Sequence, residues 1–263
     1  MRDVSALISK LAMPAIQVTS TGAPSSSHLG GDPALPLGFS WPEWKGRKLT
    51  FLGRISLKEL QAAQDVDWLP QDGALLFFYD TEEQPWGFDP KDRGCCSVLC
   101  VPDNAPAHAA SDGARSDVEY FPRIHVGFRR IDSVPSTHRD LVLALDLTDE
   151  EAETFWRAQD QVHSGLPRHQ IGGFPYPVQG DYMELECQLV TNGLYCGDST
   201  GYEDPRATQL QAGAKSWRLL LQLDTDDDAD MMWGDCGTLY FWVREDDARQ
   251  GCFENVWLIL QCS

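Results

Sequence analysis

Apolar residues along this chain come in short runs bounded by Gly, Pro and Asp, the pattern of strands more than of long helices. The runs predict strands at 49–55 (LTFLGRI), 74–79 (ALLFFY), 97–101 (SVLCV), 124–128 (IHVGF) and 141–147 (LVLALDL). Further strands are expected at 182–190 (YMELECQLV), 217–223 (WRLLLQL), 238–243 (TLYFWV) and 256–262 (VWLILQC). Within 182–190, Met183, Leu185, Cys187 and Leu189 alternate with Glu184, Glu186 and Gln188, which would turn Cys187 into the core. Helical spacing shows at three places. Val4, Leu7, Ile8 and Leu11 form one apolar stripe, while Ser56 and Thr148 each open a capping box with Glu59 or Glu151 three residues on. The stretches 80–95, 102–118 and 191–215, rich in Gly, Pro, Asp and Ser, read as long loops.

The chain also resembles itself weakly. His28-Leu-Gly-Gly-Asp-Pro33 is answered by His169-Gln-Ile-Gly-Gly-Phe-Pro175, LTFLGRISL (49–57) by WRLLLQLDT (217–225), and DGALLFF (72–78) by DCGTLYFW (235–242). One such unit could hardly cover its own sheet face. The expectation is therefore an α+β fold, a β-rich single domain over residues 1–263 built from two diverged pseudo-repeat halves, about 28–147 and 169–262, with short helices. On this alignment His28 and His169 occupy matching positions, and each is expected to cap its Gly-Gly turn by donating to a backbone carbonyl.

Charge changes the picture more than size does. Lys and Arg total 21 against 40 Asp and Glu, a formal net charge of −19. A field of that sign repels phosphate backbones and anionic lipid, which disfavours nucleic acid and membrane, and attracts basic proteins. No apolar run is long enough to span a bilayer, and Asp3 and Lys10 argue against a signal peptide, so a cytoplasmic protein is expected. The eight Cys include no C-x-x-C pair, so neither a zinc ribbon nor any other cofactor is implied.

GGDPALPLGFSWPEWKGRKLTFLGRISLKEL (30–60) and WRLLLQLDTDDDADMMWGDCGTLYFWV (217–243), closed by WLILQC, resemble the paired signatures of the YwqG-like family. Gly53-Arg54 departs from the Ala-Gln more usual there, whereas the second half keeps Gln222. The resemblance implies two related halves and no established catalytic activity. Some members resemble immunity proteins that bind a secreted antibacterial toxin, of the type VI secretion kind, in the cytoplasm of the producing cell. Resemblance and charge together lead to the expectation of a non-catalytic immunity protein that occludes the active site of a basic toxin, such as a nuclease effector, with a general protein-interaction module as an alternative.

The sharpest local candidate is the acidic loop. Asp224, Asp226, Asp227, Asp228, Asp230 and Asp235 flank Met231, Met232 and Trp233, a mixture suited to partner binding. The same carboxylates fall near calcium-loop spacing, but Ala229 stands where the sharp turn needs Gly. A rival reading makes Arg54, Gln222, Asp224, Asp235 and Gln261 the polar groups of a catalytic site between the halves. Trp41, Trp44, Trp86 and Trp233 are candidates for lining a ligand groove, with plugging of the sheet ends as the simpler alternative.

Overall fold

A computed structural model describes residues 2–103, 107–108, 118–163, 165 and 167–263. Fourteen strands appear among them: β1 (Met13–Ser20), β2 (His28–Leu29), β3 (Leu35–Pro36), β4 (Glu43–Trp44), β5 (Arg47–Lys48), β6 (Thr50–Ser56), β7 (Ala74–Tyr79), β8 (Cys96–Val101), β9 (Ala107–His108), β10 (Ile124–Ser133), β11 (Gln170–Ile171), β12 (Trp217–Asp224), β13 (Thr238–Arg244) and β14 (Trp257–Gln261). Ten of them form one sheet in the order β14-β13-β12-β11-β1-β10-β2-β6-β7-β8, with β3–β9 and β4–β5 as small separate pairs. The protein is an α+β single domain with short helices around this sheet.

The order has a pattern. A central antiparallel pair, β1 with β10, is flanked on one side by β2-β6-β7-β8 and on the other by β11-β12-β13-β14. Both outer blocks run outward in chain order, and both carry a bulge at the same place. The register slips between Phe51 and Gly53 against β7, and between Leu219 and Leu221 against β13. A bulge sharpens local twist, and sheet twist accumulates across strands, so the two wings curl toward one another. Their inner faces meet: the rings of Phe77 on β7 and Phe241 on β13 lie 5.3 Å apart, edge to face. Tyr79 meets Trp233 at 6.2 Å, and the Leu260 backbone N–H bonds the Trp86 carbonyl at 3.0 Å. The main core fills the space between the wings, with Leu75, Phe77, Leu221, Leu223, Leu239 and Leu258 all buried. A second cluster covers the outer face of the β12–β14 wing beneath a helix at Met183–Val190.

Most expected elements stand. The Val4–Leu11 helix starts on Asp3, and its Val4, Leu7, Ile8 and Leu11 pack toward Phe155 and Val142. Thr148 and Glu151 form both bonds of a capping box for the helix Asp149–Gln161. Ser56 caps Leu57–Ala63, but the Glu59 carboxylate turns to the Ser25, Ser26 and Ser27 groups instead of closing the box.

Three expectations are corrected. The run 141–147 is a short helix, Asp140–Leu143, and a turn, not a strand, with Leu143 exposed. YMELECQLV is helical from Met183, because Met183, Glu186, Cys187 and Val190 recur at i, i+3, i+4, i+7 and all are buried. Cys187 does face the core. The stretch 191–215 carries helices at Thr200–Glu203 and Pro205–Leu210. Most of 102–118 lies outside the described residues.

A central strand, β1, is also absent from the elements expected on sequence. Ala15 to Val18 are buried on both faces, and polar Gln17 is accommodated because its amide donates to the His163 carbonyl at 2.8 Å and accepts from Arg129. All eight Cys are free thiols.

Candidate functional site

The acidic loop lies at the end of β12, where the chain turns back into β13. Its first half is pinned inward. Asp224 accepts the Arg168 N–H at 2.8 Å, the Thr225 N–H at 3.0 Å and the Thr238 hydroxyl at 2.7 Å. Asp226 caps a one-turn 3-10 helix, Asp227–Ala229, and exchanges backbone bonds with Met231 on its far side. Asp230 closes that turn in the left-handed region at φ 55°. Between them sits His169. Its Nδ1 takes the Asp224 N–H at 3.0 Å, so the ring proton is on Nε2, which donates to Asp226 at 3.1 Å. That bond holds the Asp226 carboxyl below its ordinary pKa.

The loop residues therefore divide. Asp224, Asp226, Met231 and Trp233 are buried, Trp233 completely, with its indole N–H on the Asp224 carbonyl at 3.2 Å. These four anchor the loop. Asp227, Asp228, Asp230, Met232 and Asp235 are exposed. No Lys or Arg among the described residues pairs with Asp227, Asp228, Asp230 or Asp235, whereas Asp80, Asp160, Asp181, Glu184 and Glu245 all hold arginines. No group of His, Cys, Asp and Glu able to hold a metal ion is present among the described residues, and the two innermost carboxylates are already engaged by the loop's own backbone and His169.

Beside the loop opens a cleft of about 650 Å3. Arg168 stacks over Tyr176 at 4.0 Å on one wall, Asp226 to Asp228 and Met232 form the other, and Gln222, Asp224 and Thr238 lie at its base. The base residues act as clamps on the neighbouring chain. Gln222 accepts the Tyr176 N–H and donates to the Arg168 carbonyl, while Gln261 accepts from Val178 and Gln179 and donates to Gly180. Of the rival catalytic set, then, Gln222 and Gln261 have their polar atoms committed to backbone, and Asp224 to two backbone N–H groups and the Thr238 hydroxyl. Arg54 is bonded to the Ser26 carbonyl and to Asp103, in the other wing, and only Asp235 stands free of the backbone in solvent.

The same arrangement recurs at the end of β6. There Arg54 donates to the Ser26 carbonyl as Gln222 does to Arg168, and Ser27 accepts the Ser56 N–H as His169 accepts that of Asp224. Ser27 then donates to Glu59, as His169 does to Asp226. A cleft of about 1090 Å3 opens here too, lined by Arg54, Ser56, Lys58 and Asp72. The glycine turns agree as well, Gly30 and Gly31 at φ 57° and 77°, Gly172 and Gly173 at 70° and 66°. Positive φ at both positions is what demands glycine.

One pairing is corrected by this. His28 does cap its turn, Nδ1–H donating to the Gly30 carbonyl at 2.8 Å, and burial lowers its pKa to about 4. The residue doing so in the other turn is Gln170, which donates to Gly172 at 2.7 Å, while His169 matches Ser27. Counting from the double glycine instead of from the histidine would have given this register. Among the Trp candidates, Trp44 is buried, and Trp41 packs edge-on to Phe78 with its N–H on the Leu49 carbonyl. Trp86 is half exposed beside Phe88.

These features define an α+β protein whose ten-stranded sheet carries a polar cleft at the end of each wing, one of them edged by carboxylates that no Lys or Arg among the described residues pairs with. The chain belongs to the YwqG-like family, described as a domain of unknown function (DUF1963), whose model matches residues 27–262. No curated protein matches it. The match starts beyond β1, although that strand sits in the middle of the sheet. No helix among the described residues is long and apolar enough to cross a membrane.

Proposed function

We propose that this protein is a non-catalytic binding protein whose acidic loop meets a basic partner, and that it acts in the cytoplasm as the immunity protein of a cationic secreted toxin. One observation carries the reading. Asp227, Asp228, Asp230 and Asp235 stand exposed, without a cationic partner among the described residues, on a loop held by buried Trp233, Met231 and the His169–Asp226 bond. Like charges held together without counter-ions cost free energy in the free protein, and a partner that neutralises them recovers it. Pinning the backbone beforehand reduces what must be ordered on binding. A nuclease presents Lys and Arg to phosphate, so a rigid carboxylate array can compete for that site.

The recurring hydrogen bonds, bulges and glycine pairs support a further part of this reading, that the wings are diverged copies of one unit. Only the second copy extended its cleft edge into the aspartate run.

The test of the toxin role is growth protection. Cells making the chain should survive a cationic toxin of the kind proposed, and the triple variant Asp227→Asn, Asp228→Asn, Asp230→Asn should protect less at equal expression. Charge steering contributes a factor of about 10 or more to association, so a fall in on-rate of about tenfold that shrinks in high salt is expected. Undiminished protection by the triple variant would show that the loop is not the contact.

A further inference from the structure

Residues 85–88 form a strap along β14, and its backbone is tied down at each position. The Pro85 carbonyl accepts the Tyr79 hydroxyl at 2.9 Å, and the Trp86 carbonyl accepts the Leu260 N–H at 3.0 Å. The Gly87 carbonyl takes the Trp257 indole N–H at 2.8 Å, while the Gly87 N–H donates to Asp92 at 3.0 Å. Gly87 also packs so closely on the Leu258 carbonyl that no Cβ would fit there, and the Phe88 carbonyl accepts the Cys196 N–H at 2.8 Å. On this fixed backbone the Trp86 side chain is nonetheless 44% exposed. A large aromatic ring presented on a pinned segment has the form of an interface hot spot, because little remains to be ordered when a partner covers it.

The strap is joined to the acidic loop. Gln84 accepts the Gly234 N–H at 2.8 Å, so Trp86 stands two residues from the joint on one side, with Asp235 and exposed Met232 close to it on the other. The surroundings are acidic. Within 80–92, Asp80, Glu82, Glu83, Asp89 and Asp92 face Lys91 as the segment's own cation. Lys45 and Arg47 pair with Asp80, Glu82 and Glu83, and Lys91 lies 3.9 Å from Asp89. Asp92 and Asp235 have no Lys or Arg partner among the described residues, although both lie near the ring in the chain or across the joint. Cations do sit over other indoles, Lys45 over Trp44, Arg244 over Trp217 and Arg93 over Trp257. Among the described residues none sits over Trp86.

We propose that Trp86 is a stacking platform for an arginine side chain of the basic partner, the guanidinium lying on the indole while the carboxylates around it stabilise its charge. Indole is the best of the aromatic faces for a cation, and arginine is the cation found there most often. The proposal rests on the partner of the acidic loop being basic, and it adds a contact outside that loop.

A hexa-arginine peptide serves as the probe, titrated at low salt into the 15N-labelled chain. The Trp86 indole resonance, assigned by its loss in Trp86→Phe, should shift saturably and show intermolecular NOEs to arginine Hδ protons. Because the side chain is half exposed, Trp86→Ala should retain the thermal midpoint, yet bind the peptide about fivefold more weakly, the worth of one cation–π contact. Asp227 to Asp230 amides that shift while the indole stays still would overturn the Trp86 contact and leave the acidic loop standing. Equal affinity in the folded Trp86→Ala variant would also overturn it. A peptide that moves neither the indole nor the loop amides would overturn both readings.

Discussion

Replacing Trp233 by Ala is expected to cost about 3–5 kcal/mol of unfolding free energy, the usual loss for a large aromatic removed from a core. The side chain is fully buried between the wings, edge-on to Tyr79 at 6.2 Å and to Phe121 at 5.8 Å. Its removal leaves a cavity and leaves the Asp224 carbonyl without its indole donor. It also frees the loop whose backbone it anchors. Urea unfolding of the two proteins gives the difference directly. A loss under about 1 kcal/mol would be a surface value, and would contradict the anchoring role.

The second large effect concerns Glu186, on the buried stripe of the Met183–Val190 helix. Burial pushes its carboxyl up to about 7 from an ordinary 4.5, against the lowering effect of the Tyr202 hydroxyl that donates to it at 3.2 Å. Glu184 and Asp181 push the same way as burial. Because the folded value is the higher one, the folded state binds the proton more tightly than the unfolded chain. This group's contribution is then most favourable below pH 4.5, declines as pH rises to about 7 and is constant above. Glu186→Gln holds the site neutral at every pH. It should raise stability at pH 8 by about 2–3 kcal/mol and change it little at pH 4, since a tenfold difference in proton affinity between the folded and unfolded states is worth about 1.4 kcal/mol. Denaturant unfolding at the two pH values decides it. A stability difference between the two proteins that does not grow with pH would show that the carboxyl ionises freely in the fold.

Glu186 also shows why part of the fold was hard to read. A carboxylate on the inward stripe made YMELECQLV look like a period-2 alternation, when the buried set 183, 186, 187 and 190 is helical. The run 141–147 was misleading for the opposite reason, since it is apolar at nearly every position and carries no period at all. Strands with both faces buried, such as ALLFFY and TLYFWV, were legible because their length and flanking Gly settle what periodicity cannot. β1 was not, because Pro14, Gln17 and Thr19 dilute its apolar content and its two neighbours, β10 and β11, lie over a hundred residues away. For the loop, composition located the carboxylates but not their directions. Which aspartates face outward depends on the His169 bond and the Trp233 anchor, contacts made across the fold. Met and Trp beside a run of Asp read as an interface, yet only Met232 faces solvent.

Recruitment of a basic partner by the exposed aspartates is tested most directly by parallel capture. The wild-type chain and the Asp227→Asn, Asp228→Asn, Asp230→Asn variant serve as baits in lysate from cells that encode the chain. A strongly cationic protein should be held by the wild type at low salt, released as salt rises, and much depleted on the variant. Equal retention of the same proteins by both baits would contradict that role for the loop.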